Sequence, residues 1–350
     1  MPEESLLRQE IREQPHSLMR LLAATTAFSD ARELLRAHNT RAIRLVGHGS
    51  SDNAACYGVY AFALLGGLPA VRDSISLPVY YRSESRLEHS AVVALSQSGR
   101  TPDVVAYVER ARAQRAPTIA LTNDPSSPLA EVADVTVPLL AGHERAIAAT
   151  KTYTSELAAL AILAAHLGGR ASEVTDAISR LVETMAAHLR DAEIPRLEKL
   201  ASVLAHAGRM FVVGRGLEYA TARELALKLT ETCRVATTAL TSTDLAHGPI
   251  AAVDSQFPVL AIASLDDALP AVLSALDRAR RAGATIVLFG NAAGLVEGVA
   301  GTAPVPSVPL PVLSPIMSIV PGQLFADSLA RARGLNPDQP FGLTKVTLAP

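Results

Sequence analysis

The sequence predicts an α/β protein of two doubly wound, parallel-sheet domains, each a three-layer αβα sandwich, related by internal duplication. Three observations carry that expectation. The first is a strand, tight turn and helix that occur twice. Ala42-Ile43-Arg44-Leu45-Val46 leads into Gly47-His48-Gly49-Ser50-Ser51 and an Ala-rich helical stretch, and Arg209-Met210-Phe211-Val212-Val213 leads into Gly214-Arg215-Gly216 and a helix from about Tyr219. The second is the interval: Gly49 and Gly216 lie 167 residues apart, as do Thr118-Ile119-Ala120-Leu121 and Thr285-Ile286-Val287-Leu288. The third is size, since 350 residues of which 49% are hydrophobic fill two cores. Alternating strands and helices need right-handed crossovers, which places the ligand site at the carboxyl ends of the strands.

Taken in order, residues 1–40 read as a helical lead-in, with Leu6, Leu7, Ile11, Leu18, Leu21 and Leu22 interleaved with charge. The first copy occupies 41–171, a helical linker 172–200, the second copy 201–330 and a tail 331–350. Helices are expected at Val104–Arg115 and Pro270–Arg281, each just before one of the matched strands. The most apolar tract, Pro304 to Val320, is interrupted by prolines, so no membrane span is expected. A net charge of −2 without blocks of like charge, and 4% aromatic residues, argue against nucleic acid as a partner. Cys56 and Cys233 have no paired spacing, and the acidic start Met1-Pro2-Glu3-Glu4-Ser5 has no leader pattern, so the expected compartment is the cytoplasm.

The most informative short segment follows the strand Val92-Val93-Ala94-Leu95. It reads Ser96-Gln97-Ser98-Gly99-Arg100-Thr101-Pro102-Asp103, with Thr101 at the N-cap, Pro102 at N1 and Asp103 at N2 of a helix. Hydroxyls and backbone N–H groups at a helix N-terminus can surround a phosphate without a cationic side chain, although the same residues also make ordinary turns and caps. The second copy is a control: there the segment reads Ala263-Ser264-Leu265-Asp266-Asp267, so only the first copy looks like a phosphate cradle. Ser51 could add a hydroxyl or simply cap its helix. The third glycine of a dinucleotide fingerprint is replaced by Asp52 and Tyr219, which speaks against such a cofactor.

Glu224, Lys228 and Glu231 share one helix face, which on its own reads as an exposed ion pair. His247, in Asp244-Leu245-Ala246-His247-Gly248-Pro249, adds an imidazole suited to proton transfer with Glu231, but spacing does not place the two together. His48, His143 and His247 are isolated in sequence, so no metal site is expected, and no nucleophile elbow occurs.

In these motifs the sequence resembles the sugar isomerase (SIS) family, more closely the isomerase portion of glucosamine-6-phosphate synthase and its stand-alone deaminase relatives. The resemblance covers about residues 40–350. It rests on Ser96-Gln97-Ser98-Gly99 with Thr101, Glu144 with Thr150-Lys151-Thr152, Glu224 through Lys228 to Glu231, His247-Gly248-Pro249, and Asp338-Gln339-Pro340 with Lys345. It implies that Ser51, Ser96, Gln97, Ser98 and Thr101 hold a sugar phosphate, with Glu144 in the substrate site. It further implies that Glu231 shuttles a proton between C1 and C2 and that Lys228 lies near the reacting carbons. His247 would open the ring from a neighbouring subunit, making a homodimer, and Lys345 would contact the open-chain sugar. No cofactor is implied. The sequence departs from the family pattern at Ala149, where the synthase has serine, at Arg100 for an acid, at Thr230 for lysine, and at Phe341-Gly342 for Arg-Asn.

No N-terminal glutaminase portion and no cysteine at position 2 are seen, so ammonia release is the expected direction: glucosamine 6-phosphate to fructose 6-phosphate and ammonia. The alternatives are a fructosamine-6-phosphate deglycase, an isomerase of another amino sugar phosphate, and a non-catalytic sugar-phosphate sensor.

Overall fold

The computed structural model describes residues 4–83, 86–190 and 194–345. Three helices open the chain: α1 (Leu6–Arg12), α2 (Gln14–Leu21) and α3 (Thr25–Ala37). The described residues fall into two units, and the lead-in is divided between them, because α1 belongs with the second sheet and α2 and α3 with the first. Residues 145–150 also belong with the second sheet, so the units are not the consecutive segments that the sequence suggests.

The first-sheet unit runs through β1 (Ala42–Val46), α4 (Ser50–Gly66), β2 (Ala70–Arg72), α5 (Ser76–Val79), β3 (Ser90–Ser96), α6 (Pro102–Ala113), β4 (Thr118–Thr122), α7 (Pro128–Val132), β5 (Val135–Pro138) and α8 (Lys151–Leu167). All strand pairings are parallel in the order β2-β1-β3-β4-β5. Every residue of β3 and β4 is buried, as expected for central strands covered by helices on both faces. The strand order reverses direction between β1 and β3, the topological switch point of the sheet. Gly49 opens α4 at φ +56°, ψ −126°, a conformation that favours glycine.

Helix α9 (Ala171–Arg190) and the start of α10 (Ile194–Leu204) occupy the stretch read as a helical linker. The second-sheet unit then contains β6 (Arg209–Gly214), α11 (Glu218–Cys233), β7 (Ala236–Thr241), α12 (Ser242–Ala246), β8 (Pro258–Ile262), α13 (Leu269–Arg281), β9 (Thr285–Gly290), β10 (Gly301–Pro304) and α14 (Ser314–Ala332). Its parallel order β10-β9-β8-β6-β7 repeats the first sheet strand for strand. The register does so too. Arg44, Leu45 and Val46 pair with Val92, Val93 and Ala94, and their counterparts 167 residues on, Phe211, Val212 and Val213, pair with Val259, Leu260 and Ala261.

Helix α14 begins within the proline-rich tract, at Ser314, and has Pro321 inside it; the stretch Pro311–Ala332 is long and apolar enough to cross a bilayer. Its apolar window is entirely buried, which is the setting of a core helix. The start of α1 is tied to the same unit from two places. Leu6 and Leu7 donate their N–H groups to Asp338 at 2.8 and 2.9 Å, and Ser5 donates to the buried Asp327, which Arg8 also contacts at 2.6 Å.

Candidate functional site

The loop between β3 and α6 sits at the carboxyl edge of the first sheet, next to the switch in strand order. Pro102 is at N1 of α6, while Thr101 precedes it in an extended conformation and makes no side-chain cap. Its hydroxyl instead lies 3.3 Å from that of Ser96. The Ser96 oxygen accepts from Gly99 N–H at 3.1 Å, and the Ser98 oxygen accepts from Arg100 N–H at 3.3 Å, which leaves the Ser98 proton for another acceptor. Gly99 has φ +63°, and a Cβ there would stand 2.0 Å from the Ser127 hydroxyl, so the loop can close over α7 only with glycine at this place.

Gln97 and Ser98 open into a cavity of about 760 Å³ that Glu144 and Lys345 also line. Glu144 is buried; one of its oxygens accepts from Thr152 N–H at 3.1 Å and the other from the Lys345 ammonium at 2.8 Å. Lys151 is likewise buried, and its ammonium is bound to the His143 carbonyl at 2.7 Å. Four residues singled out in the sequence thus converge: Gln97, Ser98, Glu144 and Lys345. Ser96 and Thr101 lie in the same loop, behind this surface.

Ser51 is placed differently. Its hydroxyl is buried and donates to Glu156 of α8 at 2.7 Å, so its one proton is spent inside the protein rather than offered to an anion. Without a bound anion Ser51 thus ties α4 to α8 at the start of the helix that follows the turn.

The second-sheet unit holds Glu224, Lys228 and Glu231 on helix α11. Lys228 Nζ lies 3.3 Å from Glu224 and 2.7 Å from Glu231, and the first two side chains are almost wholly buried while Glu231 keeps 22% exposure. The exposed ion pair of the sequence reading is therefore a buried triad that opens to solvent at Glu231. Burial disfavours the Lys228 ammonium, but the carboxylates of Glu224 and Glu231 outweigh it and hold the amine above its ordinary value. Thr230 turns away from this set, its hydroxyl 2.6 Å from that of Thr237 near the start of β7.

His247 is exposed and follows α12, whose start carries a capping box between Thr241 and Asp244. Gly248 follows at φ +127°, a backbone value reserved for glycine. Glu231 lies near the end of α11, just before β7 begins, whereas His247 comes after β7 ends. The two thus stand at opposite ends of the strand Ala236–Thr241. In this unit α11 runs away from the carboxyl edge of the sheet, so Glu231 lies at the opposite edge.

Three structural contacts around the loop and the cavity escape sequence reading. His48 Nε2 meets Asp103 at 2.8 Å, joining the turn after β1 to the first turn of α6. Asn123 clamps the cavity wall, donating to the Gly142 carbonyl at 2.7 Å and accepting from Ala141 N–H at 2.8 Å. Arg20 of α2 lines the same cavity and donates to the Leu140 carbonyl at 2.8 Å. An isolated His, Asn or Arg carries no local signature; only the left-handed glycine at 142 hints at a tight wall. The two cysteines are buried, and burial pushes the Cys233 thiol up to about 12.

Comparison with known proteins gives a consistent picture. The model of the SIS domain matches residues 37–166 and 203–294. Glutamine–fructose-6-phosphate aminotransferase (isomerizing) of Pyrococcus horikoshii is 32% identical over 348 residues, covering 98% of this chain and 57% of that protein. The chain thus spans little more than half the length of this relative. Among solved structures, the C-terminal domain of glucosamine-fructose-6-phosphate aminotransferase from Francisella tularensis superposes with a TM-score of 0.89 at 26% identity, covering 97% of this chain and 99% of that one. A protein provisionally assigned as a phosphosugar isomerase, from Silicibacter pomeroyi DSS-3, gives 0.84 at 31% identity, covering 96% and 100%.

Proposed function

The chain belongs to the SIS domain family, and on that premise we propose that it is an isomerase of amino sugar phosphates that releases their nitrogen, taking glucosamine 6-phosphate and water to fructose 6-phosphate and ammonia. The observation that carries this reading is the cavity of the first-sheet unit, where Gln97 and Ser98 of the loop and the carboxylate-held Lys345 face one space. Its relatives are named for amino transfer on fructose 6-phosphate. Ser96, Ser98 and Thr101, with the backbone of Gln97, hold the phosphate. Glu231 takes the proton from C2 and returns it to C1, with Lys228 fixing one carboxylate oxygen at 2.7 Å. Lys345, or water, meets C2 as nitrogen leaves.

His247 opens the ring. It stands at the far end of β7 from Glu231, which supports its serving a second copy of the chain in a homodimer.

The test is a turnover assay over a panel of amino sugar phosphates and Amadori phosphates, following released ammonia or amine together with the sugar phosphate product, with wild type and Glu231→Gln. The variant is expected to lose ammonia release while sugar phosphate binding survives; release at the wild-type rate would remove Glu231 from the mechanism. Turnover of an Amadori phosphate alone would mark a deglycase, and binding without turnover a sensor.

A further inference from the structure

We propose that the cavity of the first-sheet unit takes a sugar phosphate bearing a second anionic group, a carboxylate on its nitrogen substituent, and that Arg20 is the specificity-determining residue that receives it; this rests on the amino-sugar-phosphate reading above. The case begins with how Arg20 is held. Its Nε donates to the Leu140 carbonyl at 2.8 Å and its Nη2 to the Ser17 hydroxyl at 3.2 Å, while Ser17 donates onward to the Ala141 carbonyl at 3.1 Å. Asn123 grips the same segment from the other side. Within it Leu140 sits at φ +52°, a strained value for a leucine, which these bonds hold in place. Gly142 completes the fit, since a Cβ there would lie 3.0 Å from Arg20 Nη2.

The guanidinium is thus fixed at the cavity wall with Nε and one Nη2 hydrogen engaged. The two Nη1 hydrogens and the second Nη2 hydrogen remain, a fork that matches a carboxylate. Charge points the same way. The carboxylates lining this cavity are already taken, Asp124 by Arg100 at 2.9 Å and Glu144 by Lys345 at 2.8 Å, whereas the bonds just described for Arg20 go to neutral oxygens. A plain amino sugar phosphate offers one anion, which the Ser96–Thr101 loop receives, and its amine gains nothing from a guanidinium. A carboxylate on the nitrogen supplies the missing partner, and a volume of about 760 Å³ leaves room for it.

The experiment is calorimetric titration of the full chain with three ligands: glucosamine 6-phosphate, its N-carboxymethyl derivative and the neutral N-carbamoylmethyl isostere. Wild type is expected to bind the carboxylate about tenfold or more tightly than the amide. Arg20→Gln should abolish that preference and leave glucosamine 6-phosphate affinity unchanged, and Arg20→Lys should keep part of it. Equal affinity for carboxylate and amide in wild type overturns the proposal, as does a preference that survives in Arg20→Gln. If none of the three ligands binds, the sugar-phosphate reading itself fails. Should Arg20→Gln not fold, the wild-type preference and its partial retention in Arg20→Lys decide the matter.

Discussion

At position 51 the duplication has kept a hydrogen bond and exchanged its partners. Ser51, in the first turn of α4, donates to Glu156 of α8; its counterpart 167 residues on is Glu218, in the first turn of α11, which accepts from Ser318 of α14 at 2.9 Å. Each sheet thus fastens its first and last helices through one hydroxyl and one carboxylate. Glu218 is fully buried and also accepts from Ser264 at 2.5 Å and Thr221 at 2.6 Å. Burial raises its carboxyl above the ordinary 4.5, and the hydroxyls only partly offset this. An acid whose folded value is raised stays protonated in the native state while the unfolded chain has already ionised. Its contribution to stability is therefore present below 4.5 and declines as pH climbs through the folded value. Denaturant unfolding of wild type and Glu218→Gln across pH 4.5 to 8 should show wild type losing stability with rising pH relative to the variant; parallel curves would show that Glu218 does not titrate in that window.

The loop from Ser96 to Thr101 works as an element because α6, α7 and β4 fix it together. Asn123 N–H bonds to the Gln97 carbonyl at 3.1 Å, and Leu129 N–H to the Gly99 carbonyl at 3.0 Å, so the hydroxyls stand on a closed base. A methyl group at position 99 would need both a left-handed backbone and the space of Ser127. Gly99→Ala is expected to cost about 1–3 kcal/mol of stability and to weaken binding of inorganic phosphate about tenfold or more, read by denaturant unfolding and calorimetric titration respectively. Unchanged phosphate affinity would mean that the loop is not the anion site. This element was legible in the sequence, since a strand, three hydroxyls, a glycine and a Pro at N1 are neighbours in the chain. The acid–base helix was legible in spacing but not in burial, because a helix face alone does not reveal what packs on it. Glu224 and Lys228 proved to be covered rather than solvated.

At the scale of the whole molecule, the opposite placement of Glu231 and His247 along β7 makes the homodimer testable by complementation. Glu231→Gln and His247→Ala are each expected to be inactive alone. Mixed by refolding or coexpression, they should recover about a quarter of the wild-type sites, since half of the dimers are mixed and each has one intact pairing. No recovery of ammonia release in verified mixed dimers would confine both residues to one chain. The interval of 167 residues, the two parallel sheets and the hydroxyl-bearing loop after β3 were determined by the sequence itself, because strand period, turn glycines and caps act over a few neighbouring residues. The tertiary structure alone decided the partners. Lys345 meets Glu144 across 201 positions and Arg20 meets Leu140 across 120, Ser51 turns inward, and the lead-in divides between two sheets. A side chain's partner depends on which distant element packs against it, and no local pattern records that.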